Sequence, residues 1–170
     1  QSVVGIHKIS VTSRGDIKPA KEKELKIEFI GDSITCGIGV DDPNVDGVYC
    51  TASCNASKTY AYKLAQRFDA DYSFFAYSGY GCLSGYRGTT KPDTKATIPP
   101  IYGTYGTSMG YFGEDLDPEE LEWDFSSYQP DLVIINLGTN DANYTKTAEK
   151  KAEFTASYLA FIKQIKEKYP

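Results

Sequence analysis

A chain of 170 residues, 41% hydrophobic and 24% charged, has the composition of one ordinary globular domain that can bury a core. A net charge of −5 with no basic cluster along one face argues against a nucleic-acid partner, and no apolar run approaches the roughly 18 residues that span a bilayer, so no membrane partner is expected. Aromatic residues are plentiful: 14 Tyr, 8 Phe and one Trp, with many tyrosines in loop-like segments, which suits either loop packing or a surface that stacks on flat ligands.

Val3 to Val11 reads as a strand rich in β-branched residues, and the polar stretch Thr12 to Lys23, with Gly15 and Pro19, as a linker or loop. The first core strand is predicted over Leu25 to Ile30, closed by Gly31. Asp41 to Ser57 is loop-like. A helix follows over Lys58 to Phe68, with Ser57 as its N-cap and Tyr60, Ala61, Leu64, Ala65 and Phe68 at helical spacing. A second strand, Asp71 to Tyr77, ends at Ser78-Gly79-Tyr80-Gly81. Strand, helix, strand predicts a parallel pair joined by a right-handed crossover. From Gly81 to Gln129 there is no strong periodicity, and Pro92, Pro99 and Pro100 break the stretch; a loop of this length is often functional. The third strand, Asp131 to Leu137, is a near-continuous apolar run, as in a strand covered on both faces. The last helix, Thr147 to Tyr169, carries Phe154, Tyr158, Phe161, Ile162, Ile165 and Tyr169 on one stripe, and Pro170 stops it. Three strands and two helices make a small doubly wound sheet, so further strands are expected after residue 170. The start at Gln1, without Met or a signal peptide, leads to the expectation that the natural N-terminus was removed or lies outside this segment.

Each predicted strand ends in residues suited to chemistry, and ligands of open α/β sheets bind at the carboxyl ends of the strands. Gly31-Asp32-Ser33-Ile34-Thr35 follows the first strand. Ser33 is a candidate nucleophile, although Asp32 and Ser33 are equally good helix caps. Gly79 follows the second strand, where glycine lets a backbone N–H approach a ligand; a simple turn is the alternative. Asn140, in Gly138-Thr139-Asn140-Asp141, follows the third strand and offers a side-chain amide to an oxyanion, or else makes a turn. The convergence of the three favours an active site. The pattern Gly-x-Ser-x-Thr on the first core strand differs from the nucleophile elbow Gly-x-Ser-x-Gly. Cys36, Cys50, Cys54 and Cys82 permit disulfides, with Cys50 and Cys54 able to close a small loop and Cys36 and Cys82 placed as buried thiols; no metal signature accompanies them. Asn55-Ala56-Ser57 and Asn143-Tyr144-Thr145 match glycan acceptor triplets.

On these blocks the chain resembles the SGNH (GDSL-like) hydrolases, and within them carbohydrate esterase family 2. The further carriers are Cys36-Gly37, Tyr86-Arg87-Gly88 and Trp123-Asp124-Phe125-Ser126-Ser127-Tyr128-Gln129-Pro130-Asp131. The resemblance covers Lys26 to Pro170. It implies a three-layer, flavodoxin-like α/β fold with a parallel sheet, whose C-terminal strands and helix fall outside the sequence. Residues 1–23 would be the tail of a preceding β-sandwich domain plus a linker, and 24–170 an incomplete SGNH domain in a larger multi-domain parent chain. It implies a secreted serine esterase that removes O-acetyl groups from plant cell-wall polysaccharides or their oligosaccharides, such as acetylated xylan or glucomannan. Ser33 would be the nucleophile, the Gly79 N–H and the Asn140 amide the oxyanion hole, and no cofactor or metal is needed. Asp141 would support its loop rather than transfer protons. Tyr86, Tyr102, Tyr105, Tyr111 and Trp123 are candidate sugar platforms, although Trp123 reads rather as a core anchor just before the third strand.

The family's catalytic histidine belongs to a later block that this sequence does not contain. The one histidine here, His7, lies well upstream of Ser33 and reads as a surface or packing residue. The 170-residue segment alone is therefore expected to be inactive. Two other readings compete: an SGNH esterase acting on lipid or thioester substrates, and a non-catalytic glycan-binding module.

Overall fold

The computed structural model describes residues 6, 8–44, 50–107 and 117–169. His7 and Tyr111 lie outside the described residues. Three strands form one parallel sheet: β1 (Lys26–Gly31), β2 (Asp71–Ala76) and β3 (Leu132–Asn136), in the order β2-β1-β3. β1 is central because it is apolar on both faces, and Ile27, Phe29 and Ile30 are shut off from solvent. The register pairs Gly31 with Ala76 on one side and with Asn136 on the other, so all three strands end level with one another. The order matches the first three strands of the flavodoxin-like arrangement, whose ligand crevice opens beside the first and third strands in the chain.

The alternation of β1 builds two different cores. Ile27 and Phe29 pack with Ala61, Ala65 and Ala70, the small residues of helix α2 (Tyr60–Arg67) and its exit. Ile30 faces the other way and packs with Cys82, Ile98, Tyr102 and two residues of the long C-terminal helix, Phe161 and Ile165. The sheet is thus covered on both sides, in three layers. That helix runs Ala148–Lys168, one residue inside the predicted span at each end, and the Thr147 side chain caps it by accepting from the Lys150 N–H at 3.3 Å.

Three local expectations are corrected. Ser57 does not cap α2. It sits in a 3₁₀ turn, Ala56–Lys58, capped by Asn55, and the helix begins after Thr59, whose hydroxyl donates back to the Ala56 carbonyl at 2.8 Å. The expected strand over Val3 to Val11 is absent among its described residues, 6 and 8–11. Ile6, Ile9 and Val11 stand exposed, because β-branched residues form a strand only where a ladder partner and an apolar face receive them. No disulfide joins the cysteines: Cys54 Sγ donates to the Cys50 carbonyl at 3.5 Å instead, and all four thiols are free. Cys82 is buried and Cys36 half-buried. The aperiodic stretch between β2 and β3 forms only short 3₁₀ turns, Pro99–Ile101 and Phe125–Ser127, and two isolated bridges among its described residues. No helix among the described residues is long and apolar enough to cross a membrane.

Candidate active site

Asp32 leaves β1 fully buried and turns the chain into a single helical turn, α1 (Ser33–Cys36). Its Oδ1 accepts from the Ile34 N–H at 2.9 Å, so the capping role falls to Asp32 and leaves Ser33 free for other work. Ser33 occupies the first helical position, where a backbone N–H has no helical partner. It is half-exposed, and its hydroxyl bonds to no other described group.

Beyond β2, Tyr77 donates its N–H to the Gly31 carbonyl at 3.2 Å, which keeps the two strand ends together. Gly79 then takes φ +81°, the left-handed region that L residues avoid, while a Cβ there would meet nothing within 4 Å. Backbone conformation, not crowding, requires glycine at this point, and the space above it is open. Gly81 is the opposite case. A Cβ there would fall 2.0 Å from the Ser84 carbonyl oxygen and 2.6 Å from Asp141 Oδ2.

Beyond β3, Asn140 and Asp141 open the 3₁₀ turn Asn140–Asn143, and both are buried. Asn140 Nδ2 donates to the Tyr80 carbonyl at 2.7 Å and reaches Asp32 Oδ2 at 3.5 Å, the limit of a hydrogen bond. One side chain from β3 therefore ties together the residue before Ser33 and the residue after Gly79. The structure brings the three predicted residues to one edge of the sheet by this route. Asp141 accepts three consecutive N–H groups, from Cys82, Leu83 and Ser84, at 3.0, 2.7 and 2.8 Å. A carboxylate held in such a nest of amides fixes the loop beyond β2. Burial raises the Asp32 carboxyl above its ordinary range, helped by the charge of Asp141. Burial likewise pushes the Cys36 thiol up to about 11, and its Sγ donates to the Ala76 carbonyl at 3.3 Å beneath the site.

The candidate aromatic platforms separate. Tyr86 and Tyr105 are exposed and Trp123 is half-buried, not a closed core anchor. Tyr102 is 2% exposed and cannot be a platform; its hydroxyl donates to Glu28 Oε2 at 2.6 Å. Three further groups shape this region without a sequence motif to mark them: Glu28, Asp32 Oδ2 and the Tyr80 carbonyl. A lone glutamate in a strand otherwise apolar on both faces was the available signal for the first. The other two depend on contacts 108 and 60 residues apart along the chain and leave no local trace.

A parallel sheet covered on both faces thus carries a serine, a glycine and an asparagine just beyond its carboxyl edge. Residues 29–170 match the model of the GDSL-like lipase/acylhydrolase family, and the chain belongs to that family. Its relatives include family 2 carbohydrate esterases. The chain is 34% identical over 150 residues to the cellulase/esterase CelE of Acetivibrio thermocellus, covering 88% of this chain and 16% of that protein. It is 31% identical over 157 residues to an acetylxylan esterase/glucomannan deacetylase of Cellvibrio japonicus, covering 85% and 39%. The solved structure of a family two carbohydrate esterase from Clostridium thermocellum in complex with cellohexaose superposes with a TM-score of 0.70 at 32% identity, covering 91% and 42%. The chain thus spans less than half the length of each of these relatives.

Proposed function

We propose that this chain carries the nucleophile and oxyanion hole of a secreted serine esterase that removes O-acetyl groups from plant cell-wall polysaccharides such as acetylated xylan or glucomannan. The observation that carries the reading is the Asn140 amide, which bridges the Tyr80 carbonyl and Asp32 and so gathers all three strand ends around the unbonded Ser33 hydroxyl. The named activities of the relatives supply the substrate class.

In this mechanism Ser33 Oγ loses its proton to a base and attacks the acetyl carbonyl. The oxyanion that forms accepts from the N–H of Ser33, the N–H of Gly79 and the Nδ2 proton of Asn140 that reaches Asp32 only at 3.5 Å. Each such donor is typically worth about 10²–10³ in rate. The tetrahedral intermediate expels the sugar hydroxyl, the acetyl group stays on Ser33, and water then hydrolyses the ester. Asp32 and Asp141 hold the donors in place and transfer no proton. The mechanism assigns the base to a histidine outside these strand-end residues; His7 is the one histidine of the 170 residues, and the chain spans less than half the length of the relatives it matches. The reaction uses no metal or organic cofactor.

Acetate release from acetylated xylan and glucomannan by the longer parent chain tests this. The wild type releases acetate and Ser33→Ala loses at least about 10³-fold in rate. The isolated 170-residue chain releases none. Unchanged turnover in Ser33→Ala removes the serine mechanism, and turnover by the isolated chain removes the external base.

A further inference from the structure

The aromatic loop between β2 and β3 encloses a cavity that the esterase mechanism does not use. Its volume is about 220 Å³, and it opens beside the edge strand β2, on the sheet face that carries Glu28, Ser73 and Phe75. Tyr105 and Trp123 form its outer wall as an edge-to-face pair with centroids 5.3 Å apart. Both are held by backbone hydrogen bonds: Tyr105 N–H to the Leu121 carbonyl and Trp123 N–H to the Gly103 carbonyl, each at 3.0 Å. The two rings are thus positioned before any ligand arrives.

Of the side-chain polar groups that line the cavity, the hydroxyls of Tyr77, Tyr102 and Thr104 and the Glu28 carboxyl are engaged within the protein, and three are not. The Ser73 hydroxyl, the Tyr105 hydroxyl and the Trp123 indole N–H bond to no other described group. Glu28 is 5% exposed and lines the cavity as a buried carboxyl, one oxygen of which accepts from Tyr102. Among the described residues no Lys, Arg or His lines the space, and the chain carries a net charge of −5, so phosphate and uronate ligands find no counter-charge there. The volume falls below the roughly 300–1,000 Å³ typical of drug-sized ligands, enough for one ring rather than an oligomer. Aromatic walls for an apolar ring face, with hydroxyl, indole and carboxyl partners for its rim, match an uncharged pyranose.

We propose that this cavity is a second carbohydrate subsite that seats one neutral sugar ring of the polysaccharide chain. It deepens the proposed function and borrows from it only the substrate class. Tyr77 lines the cavity and makes a tilted ring contact with Tyr80, centroids 5.3 Å apart, and Tyr80 is the residue whose carbonyl Asn140 holds. The subsite therefore adjoins the strand-end site on the β2 side, where it anchors the polymer while an acetyl group is removed.

Trp123 is the one tryptophan of these 170 residues, so the intrinsic tryptophan emission of this segment reports on this wall. Xylohexaose and cellohexaose, both unacetylated, are titrated into wild type, Ser33→Ala, Tyr105→Ala and Ser73→Gln, with calorimetry on the same samples and circular dichroism to confirm folding. A saturable emission change is expected in wild type and Ser33→Ala alike. Tyr105→Ala, at an exposed position, and Ser73→Gln, which fills the cavity from β2, each weaken binding about tenfold or more. An absent emission change, or binding that survives in both folded cavity variants, overturns the subsite. Failure of the esterase reading is a separate result: it abolishes acetate release and leaves the sugar-dependent emission intact.

Discussion

The two faces of the sheet are built on opposite plans, although β1 feeds both. Toward α2 the strand presents Ile27 and Phe29 to a row of alanines. Small helix residues let α2 lie close to the sheet, and Phe29 fills the remaining space through edge-to-face contacts with Tyr60 and Phe74 at 6.1 and 5.4 Å. Toward the C-terminal helix the same strand presents Ile30 and a buried carboxyl, Glu28, to large rings: Tyr102, Phe161, Phe75 and Phe125. Large rings pack with gaps, and the cavity behind Trp123 is one of them. The first face contributes cohesion. The second gives up some packing and gains polar groups and space for a ligand.

That contrast is open to attack by substitution. Phe29→Ala removes a ring with no exposed surface and should cost about 3–5 kcal/mol, read as a drop in the urea midpoint with an unchanged slope. A cost below that of a comparable truncation on the aromatic face would reverse the ranking of the two faces. Ala65→Leu should overpack the close α2 interface and cost about 1–3 kcal/mol. A neutral result would show that α2 has room to move outward.

Glu28→Gln addresses the polar feature of the second face and has the smallest expected effect. Burial holds the Glu28 carboxyl above its ordinary value of 4.5, opposed by hydrogen bonds from Tyr102 and Tyr169. The folded chain therefore binds a proton more readily than the unfolded one. The stability from that proton is complete below pH 4.5 and is lost as pH rises through the elevated folded value. Urea midpoints at acidic and slightly alkaline pH should show wild type losing ground to Glu28→Gln as pH rises. An equal gap at both pH values would mean that the carboxyl is not shifted.

Much of the fold was readable in the chain because its signals are local. The three strands fall within about a residue of their predicted limits, since short runs rich in apolar and aromatic residues, closed by Gly31, Tyr77 and Leu137, leave little choice of boundary. The three strand-end residues were legible for the same reason: position after a strand is itself the signal. Other features depend on what meets what. Thr59 takes the N-cap position in place of Ser57 with no side-chain bond to the helix, its hydroxyl donating back to the Ala56 carbonyl. Tyr102 looked like a loop tyrosine, yet it is buried by its bond to Glu28, 74 residues earlier. The residues of 6–11 have strand composition and, among those described, no ladder. Asp141 was readable as a loop support by analogy, but its three amide partners became visible only in the folded chain.

The central claim is that the strand-end cluster around Ser33 performs acyl transfer. Its most direct test is to react the longer parent chain with a chromogenic acetyl ester, quench in acid within the first turnover, and locate the acetyl group by peptide mass spectrometry. The account predicts one acetyl group, on the peptide that contains Ser33, and none in Ser33→Ala. An acetyl group on another residue, or acetate release with no acetylated peptide at any quench time, would contradict it.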